Sequence, residues 1–129
     1  MTSAVPDFET PKLAEAIEQL QPDEIDRLPF GVIGLDANDQ VRVYSATEAR
    51  LSGYGGRPTH GKAFFLDVAP CMNNSYFKGL VDTARAAGTL DIRFTFVGDF
   101  SDRSRELTVR VQSAKDGGIW IFHQRSAPA

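Results

Sequence analysis

The chain has 129 residues, of which 42% are hydrophobic and 24% charged, and its 14 basic and 17 acidic side chains give a net charge of −3. This size predicts one domain with a buried core, and the weakly acidic balance argues against nucleic-acid binding, which requires a clustered basic surface. No apolar run approaches the ~20 residues of a membrane helix, and acidic side chains interrupt the region where a secretory signal would be apolar. We therefore expect a cytoplasmic protein that binds neither nucleic acid nor membrane.

Residues 1–28 have the pattern of an N-terminal helical cap. Thr10 and Pro11 predict the start of a helix, and Pro22 predicts a second short turn that ends before Pro29. Apolar residues share one face of the first helix at helical spacing: Leu13, Ile17 and Leu20.

The sequence pattern of residues 29–126 predicts one folded core domain that contains both strands and helices. Alternating or continuous apolar residues predict strands at 30–35, 41–44, 92–96, 107–111 and 119–122. Helical spacing and helix-breaking residues predict short helices at 45–53, 64–68 and 75–87. Two strand blocks separated by helices indicate an α+β fold, with an antiparallel five-stranded sheet and helices packed on one face. His123 is expected at the solvent-alternating end of the last strand.

Cys71 is the only cysteine, which excludes an internal disulfide and any zinc site built from several thiolates. A free cysteine is most often a buried structural thiol. Cys71, however, directly follows Pro70 at the end of an apolar turn and precedes a polar segment. A thiol in that position can lie at a pocket wall and carry an adduct or act as a nucleophile.

Tyr44 and Glu48 form a second candidate, because Tyr44 ends a strand and Glu48 follows one helical turn later. Both side chains can then point toward one space. The more common arrangement is a solvent-facing Glu48 that pairs with Arg50 or Arg42.

Other combinations of reactive residues are weaker. His60 and His123 have no convincing third ligand for a metal site, and no nucleophile-elbow sequence supports a hydrolase built on Cys71 and Asp67. The glycines at 53, 55 and 56 lack the Lys-Ser/Thr of a phosphate-binding loop and predict a flexible connection.

Five segments together resemble the photoactive yellow protein family, whose members are PAS-fold blue-light receptors. The similarity extends from about Leu13 to Arg125, and the Asp-Val-Ala-Pro-Cys string at 67–71 is its most specific element. The segments are Leu28–Ile33, Val43–Glu48, Gly61–Phe65, Asp67–Cys71 and Trp120–Phe122.

The resemblance implies that Cys71 carries p-coumaric (4-hydroxycinnamic) acid as a thioester, whose carbonyl contacts the backbone at Cys71. It also implies that Tyr44 and Glu48 contact the phenolic oxygen, with Ser52 supporting the Tyr44 hydroxyl. Blue light would isomerise the chromophore from trans to cis. Further positions are expected to line the pocket: Ile33, Tyr54, Phe64, Val68, Pro70, Phe96, Phe100 and His123.

Physical chemistry is compatible with these implied roles. A free phenol has a pKa of about 10, so donors such as Tyr44 and a neutral Glu48 are needed to favour a buried phenolate. Burial without a cation would raise the pKa of Glu48 and let it donate. Transfer of its proton after isomerisation would leave a buried carboxylate, and we expect partial unfolding with release of the N-terminal cap.

Three departures from the family pattern affect these expectations. Tyr54 stands where the family often has an arginine, and Arg57 and Arg50 are the candidate substitutes for it. The segment 98–102 replaces an aromatic and methionine-containing loop, and His123 replaces a valine. These changes predict slow dark recovery and a partly protonated, ultraviolet-shifted dark population.

The expected protein is a receptor and not an enzyme. Its partner would be a downstream signalling protein of unknown identity, and it would be a monomer or weak dimer. Two alternatives remain open: a PAS-type ligand-binding or interaction module without photochemistry, and an acyl-transfer enzyme that depends on Cys71.

Overall fold

The structure, a computed structural model, describes residues 5–88, 90–98 and 102–125. Within these ranges the chain forms a five-stranded antiparallel sheet and short helices, so the predicted α+β architecture is confirmed. The α-helices are α1 (Leu13–Glu18), α2 (Pro22–Asp26), α3 (Ala46–Ser52) and α4 (Phe77–Ala86). A π-helical turn (Phe64–Val68) and a 3-10 turn (Pro70–Met72) connect α3 to α4. The strands are β1 (Gly31–Leu35), β2 (Val41–Tyr44), β3 (Asp91–Val97), β4 (Glu106–Ser113) and β5 (Ile119–Arg125).

The last strand in sequence lies at the centre of the sheet, whose order is β2-β1-β5-β4-β3. β5 pairs with β1 on one side and with β4 on the other, and it continues to Arg125. The expectation that His123 alternates toward solvent is therefore wrong. His123 is 1% exposed, because a central strand has neighbours on both edges and packed layers on both faces.

Apolar cores lie on both faces of the sheet, so the prediction of helices on one face only is also wrong. One core contains Ile33, Ile121 and Phe77 and lies beside the turns and α4. The other contains Leu13, Ile17 and Phe122 and places the N-terminal segment against the opposite face. Alternate residues of β5 supply both cores, as the two-residue period of a strand requires.

The N-terminal segment is tied to the sheet by polar contacts as well as apolar ones. The buried guanidinium of Arg110 on β4 donates from Nη1 to the carbonyl oxygens of Phe8 (2.6 Å) and Thr10 (2.9 Å). The amide of Ala14 donates to Gln112 Oε1 at 2.7 Å. These bonds satisfy backbone carbonyl and amide groups of the N-terminal segment that would otherwise be buried without a partner. The predicted division at residue 28 stays a prediction.

The first helix does not begin where the sequence predicted. Its N-cap is Lys12, which has a left-handed backbone (φ 51°), and the Thr10 hydroxyl instead accepts from the Asp7 amide at 2.9 Å. The second helix begins at Pro22 as expected, where Gln21 and Glu24 form a capping box. No helix in the described ranges is both long and apolar enough to cross a membrane.

Candidate functional site

A cavity of about 640 Å³ opens between the sheet and the turns that follow α3. It lies on the face of the sheet that carries Ile121 and Phe77. The structure places ten of the residues singled out from the sequence around it: Tyr44, Glu48, Ser52, Tyr54, Phe64, Val68, Pro70, Cys71, Phe96 and His123. Ile33 is buried in the adjacent core and is not among the lining residues, and Phe100 lies outside the described residues.

Cys71 lies at the cavity wall on the 3-10 turn and is exposed. The turn begins at Pro70, whose ring suits the first position of a helix. Asn74 holds the segment from both sides: its Nδ2 donates to the Cys71 carbonyl at 2.9 Å, and its Oδ1 accepts from the Phe77 amide at 2.7 Å. The only thiol of the chain is thus accessible and anchored at its backbone.

Tyr44 and Ser52 form a polar group at another part of the cavity wall. Their hydroxyl oxygens are 3.5 Å apart, and the Ser52 hydroxyl also accepts from the Tyr54 amide at 3.1 Å. Burial raises the pKa of Tyr44 above its ordinary value, and the negative charge of Glu48 raises it further. Tyr44 therefore keeps its proton at neutral pH and can donate it in a hydrogen bond.

Tyr54 covers part of the wall, with its ring 5.8 Å from that of Tyr44. The guanidinium of Arg57 lies 5.7 Å from the centre of the Tyr54 ring, within the range of a cation–π contact. Arg50 is exposed on α3. The arginine that lines the cavity is a different one, Arg103, which the sequence analysis did not select.

Glu48 is held in the interior by the first turn of α3. The Ser45 hydroxyl caps this helix by accepting from the Glu48 amide at 3.1 Å. The Glu48 side chain is 3% exposed, so the alternative of a solvent-facing residue paired with Arg50 or Arg42 is wrong. Arg42 forms its ion pair with Asp116.

Two side chains of β5 bind the Glu48 carboxylate. Arg125 donates from Nη1 to Oε1 at 2.9 Å and from Nη2 to Oε2 at 3.0 Å. His123 Nδ1 lies 3.1 Å from Oε2. The Arg125 side chain is itself only 6% exposed. The expectation that Glu48 is buried without a cation is therefore wrong.

These contacts decide the charge of Glu48. Burial alone would raise the pKa of the carboxyl group, but His123 and Arg125 outweigh burial and hold the pKa well below its usual value. Glu48 is consequently a carboxylate in this structure and accepts hydrogen bonds. The donor role toward a bound phenol that the resemblance implies for Glu48 stays a prediction.

The carboxylate fits against the sheet because Gly31 lies beside it. Gly31 pairs with His123 across β1 and β5, and a Cβ at position 31 would lie 1.9 Å from Glu48 Oε1. The sequence analysis missed Gly31, Arg103 and Arg125. The sequence did contain a signal for Arg125, because it follows His123 by two residues and therefore lies on the same face of a strand. The sequence contained no such signal for Gly31, because the space that it leaves for Glu48 depends on the pairing of β1 with the distant strand β5.

The sheet order and the flanking helices define a PAS-type fold. A PAS domain of an HTR-like protein from Haloarcula marismortui superimposes with a TM-score of 0.58 over 87% of this chain and 98% of that one. Its sequence identity of 14% makes this a likeness of fold alone.

Sequence similarity narrows the class to one family. The chain is 31% identical over 119 residues to the photoactive yellow protein of Halochromatium salexigens, covering 92% of this chain and 95% of that protein. It is 35% identical over 103 residues to that of Rhodothalassium salexigens, covering 79% and 82%. The chain belongs to the photoactive yellow protein family. No family model matches it.

A solved structure agrees with this assignment. The photoactive yellow protein domain of the sensor histidine kinase Ppr from Rhodospirillum centenum has a TM-score of 0.72 and 35% identity. The match covers 84% of this chain and 96% of that domain. The resemblance and the PAS-like fold expected from the sequence are thereby confirmed.

Proposed function

We propose that this chain is a blue-light receptor that carries p-coumaric acid as a thioester on Cys71. The observation that supports the proposal most directly is a single cavity bounded by the thiol of Cys71, the hydroxyl of Tyr44 and the carboxylate of Glu48. An accessible thiol and polar groups that can bind a phenol thus border the same space.

The cavity suits this group in size and in polarity. Its volume of about 640 Å³ lies within the ~300–1,000 Å³ typical of small-molecule sites. Phe64, Val68 and Phe96 provide apolar wall against which an aromatic ring can pack. The polar groups of the wall are confined to a few places, as expected of a site that orients its ligand.

Attachment requires an activated acyl donor, such as a p-coumaroyl thioester or anhydride. The Cys71 sulfur attacks the carbonyl carbon, a carbon–sulfur bond forms, and the bond to the donor's leaving group breaks. The leaving group departs with the proton that the thiol loses. The exposure of Cys71 allows a large donor to approach. Because the acyl group stays on the protein, the proposed role is that of a receptor and not of an enzyme.

When bound, the p-coumaroyl group would supply the light absorption and the trans-to-cis isomerisation. Tyr44 would donate a hydrogen bond to the phenolic oxygen, and Ser52 would hold the Tyr44 hydroxyl in place. Phe64 and Phe96 would limit the space into which the ring can turn.

The helix that carries Glu48 also provides a route from the cavity to the N-terminal segment. Thr47 Oγ1 donates to the Leu28 carbonyl at 2.6 Å and lies 3.1 Å from the Asp26 carbonyl. The Ala46 amide donates to Asp26 Oδ1 at 2.8 Å. A displacement of α3 would therefore strain the end of the N-terminal cap, and we propose that release of this cap is the signal to a downstream protein.

Reconstitution with activated p-coumaric acid tests the proposal. The purified protein should gain the mass of one p-coumaroyl group, and its absorption spectrum should change reversibly on illumination. Cys71→Ser should abolish both effects. Hydroxylamine, which cleaves thioesters, should restore the original mass.

Other outcomes would contradict the proposal. An adduct with no light-induced change would favour a PAS-type ligand-binding or interaction module. Continuous release of free acid from the thioester would indicate an acyl-transfer enzyme. Colour retained in the Cys71→Ser variant would exclude the thioester.

A further inference from the structure

A second cavity, of about 350 Å³, lies on the other face of the sheet, between the strands and the N-terminal cap. We call it the cap cavity. It is defined by the cap residues Ile17, Leu20 and Ile25 and by the sheet residues Val43 and Trp120. None of these five residues lines the cavity that contains Cys71, so the two spaces are separate.

The floor of the cap cavity follows from the register of three strands. Gly34 of β1 is paired with Trp120 of β5 on one side and with Val43 of β2 on the other. A Cβ at position 34 would lie 2.9 Å from Cζ3 of Trp120, so the indole ring lies over the glycine. The floor therefore combines the aromatic surface of Trp120 with the apolar side chain of Val43.

The walls of the cap cavity are fixed by one carboxylate oxygen. Trp120 Nε1 donates to Glu18 Oε2 at 3.0 Å, and the Lys115 amide donates to the same oxygen at 3.1 Å. Glu18 belongs to α1, and Lys115 to the turn between β4 and β5. The cap, the central strand and this turn are thus joined beside the cavity. A ligand would find the indole already oriented, which lowers the cost of binding.

The size and the charges of the cap cavity indicate what it can hold. Its volume lies at the lower end of the ~300–1,000 Å³ typical of small-molecule sites. Two cations and two anions line it, so their charges cancel: Arg42, Lys115, Glu18 and Asp116. Arg42 and Asp116 form an ion pair with each other. A charged ligand would lose its hydration without a net opposite charge to replace it, whereas an aromatic ring can pack on Trp120.

We propose that the cap cavity is a binding site for a small uncharged aromatic molecule, which holds the N-terminal cap against the sheet. This site is additional to the chromophore site of the proposed function. It uses different residues and the opposite face of the sheet.

The effect on the cap follows from the origin of the cavity walls. Ile17, Leu20 and Ile25 belong to the cap, whereas Trp120 and Val43 belong to the sheet. If the cap leaves the sheet, the bound molecule loses the contacts on one side. The molecule therefore binds the docked state more tightly than the released state, and its binding shifts the equilibrium toward the docked state.

The first test follows binding by ¹H–¹⁵N NMR of the protein without chromophore. Trp120 is the only tryptophan of the chain, so its indole N–H gives a single signal. Titration with benzyl alcohol should shift this signal to saturation. Benzoate and benzylamine, the matched anion and cation, should bind at least about tenfold more weakly, because each must bury a charge. Equal binding of the three compounds would contradict the proposed selectivity.

Substitutions that fill the cap cavity locate the binding site. Leu20→Phe should abolish the shift of the Trp120 signal, because the larger ring takes up the space of the ligand. Leu80→Phe is the matched control and should leave binding unchanged, since Leu80 lies on α4 on the other side of the sheet.

A second filling variant keeps the test decisive if Leu20→Phe disturbs the cap. Val43→Phe fills the cavity from the sheet and should likewise abolish binding, while the amides of β5 stay protected from exchange. Benzyl alcohol that still binds to both filled variants would occupy another site and would overturn the inference.

The second test measures the effect of the ligand on the cap. At ten times its dissociation constant, benzyl alcohol should slow hydrogen exchange through release of the cap about tenfold. The affected amides are those of α1 and α2, and the amides of α4 should not change. Leu20→Phe should show no slowing. Binding to the unmodified sequence without slower exchange would contradict the proposed hold on the cap.

The outcome for this site is independent of the outcome for the chromophore. Both tests use the protein without chromophore, so failure to attach p-coumaric acid would overturn the receptor proposal and leave them valid. Absence of any shift of the Trp120 signal would overturn the present inference and leave the receptor proposal intact.

Discussion

Single residues of the site are coupled by charge and by space. Glu48 accepts from Arg125 and His123, and it occupies volume that any side chain at position 31 would need. Removing one partner of a buried ion pair leaves the other charge buried and uncompensated. Changes at this group should therefore affect stability as well as the proposed ligand chemistry.

Gly31→Ala should lower the free energy of unfolding by about 1–3 kcal/mol, the usual effect of overpacking. The added Cβ would lie 1.9 Å from Glu48 Oε1 and force the carboxylate away from its donors. Urea denaturation measures the change. Gly56→Ala is the control, because a Cβ there meets no atom within 4 Å. Equal effects of the two substitutions would contradict the packing argument.

Glu48→Gln should destabilise the protein by about 3–5 kcal/mol at pH 7, because Arg125 would stay buried without its carboxylate. The folded-state pKa of Glu48 lies below its ordinary value of 4.5, so its charge stabilises the fold above that pH. This contribution is lost as the pH falls from 4.5 toward the folded-state pKa. The difference between the two proteins in urea should therefore shrink in acid. A difference that does not change with pH would refute the ionised state of Glu48.

At the scale of secondary structure elements, the N-terminal cap depends on β4. Arg110 and Gln112 reach from this strand to Phe8, Thr10 and Ala14, which joins segments about 100 residues apart in sequence. In its described part, residues 5–28, the cap has only short helices of its own. Short helices are marginal in water and depend on packing for their stability.

Arg110→Met should selectively increase hydrogen exchange in residues 8–20 while the amides of β5 stay protected. The buried guanidinium would no longer satisfy the carbonyls of Phe8 and Thr10, at a cost of about 1–3 kcal/mol. Arg93→Met is a matched control, because Arg93 lies opposite Arg110 on the adjacent strand β3. Arg93 forms an exposed ion pair with Glu9. Exposed pairs contribute at most about 1 kcal/mol. A larger effect from Arg93→Met would contradict this assignment.

At the scale of the whole molecule, the sheet separates the cavity from the N-terminal cap. The cavity lies on one face and the cap on the other. Thr47 and Ala46 cross between them at the edge where α3 follows β2. A signal that starts at the cavity can therefore reach the cap through one helix turn, without passing through the sheet.

If the proposed function is correct, light should increase hydrogen exchange in residues 8–28 of the reconstituted protein. Thr47→Val should reduce this light-induced difference, because it removes the hydroxyl that bonds to Leu28. Thr83→Val makes the same chemical change at an exposed position of α4 and should have no effect. An undiminished light response in Thr47→Val would exclude this route.

Much of this protein could be predicted from its sequence. Apolar periodicity located the strands and helices, because local side-chain spacing follows the geometry of each element. The Asp-Val-Ala-Pro-Cys string, with Tyr44 and Glu48 before it, pointed to the correct family and to most of the cavity wall. Cys71 stood out because it is the only thiol.

The environment of Glu48 was decided only by the tertiary structure. Its ion pair with Arg125 spans 77 residues and depends on β5 lying between β1 and β4. The same strand order buries His123 and makes Gly31 necessary. Local patterns determine which elements form, but the partner of a buried charge depends on how distant strands align. The sequence by itself therefore determined the fold and the family, whereas the tertiary structure decided the charge of Glu48.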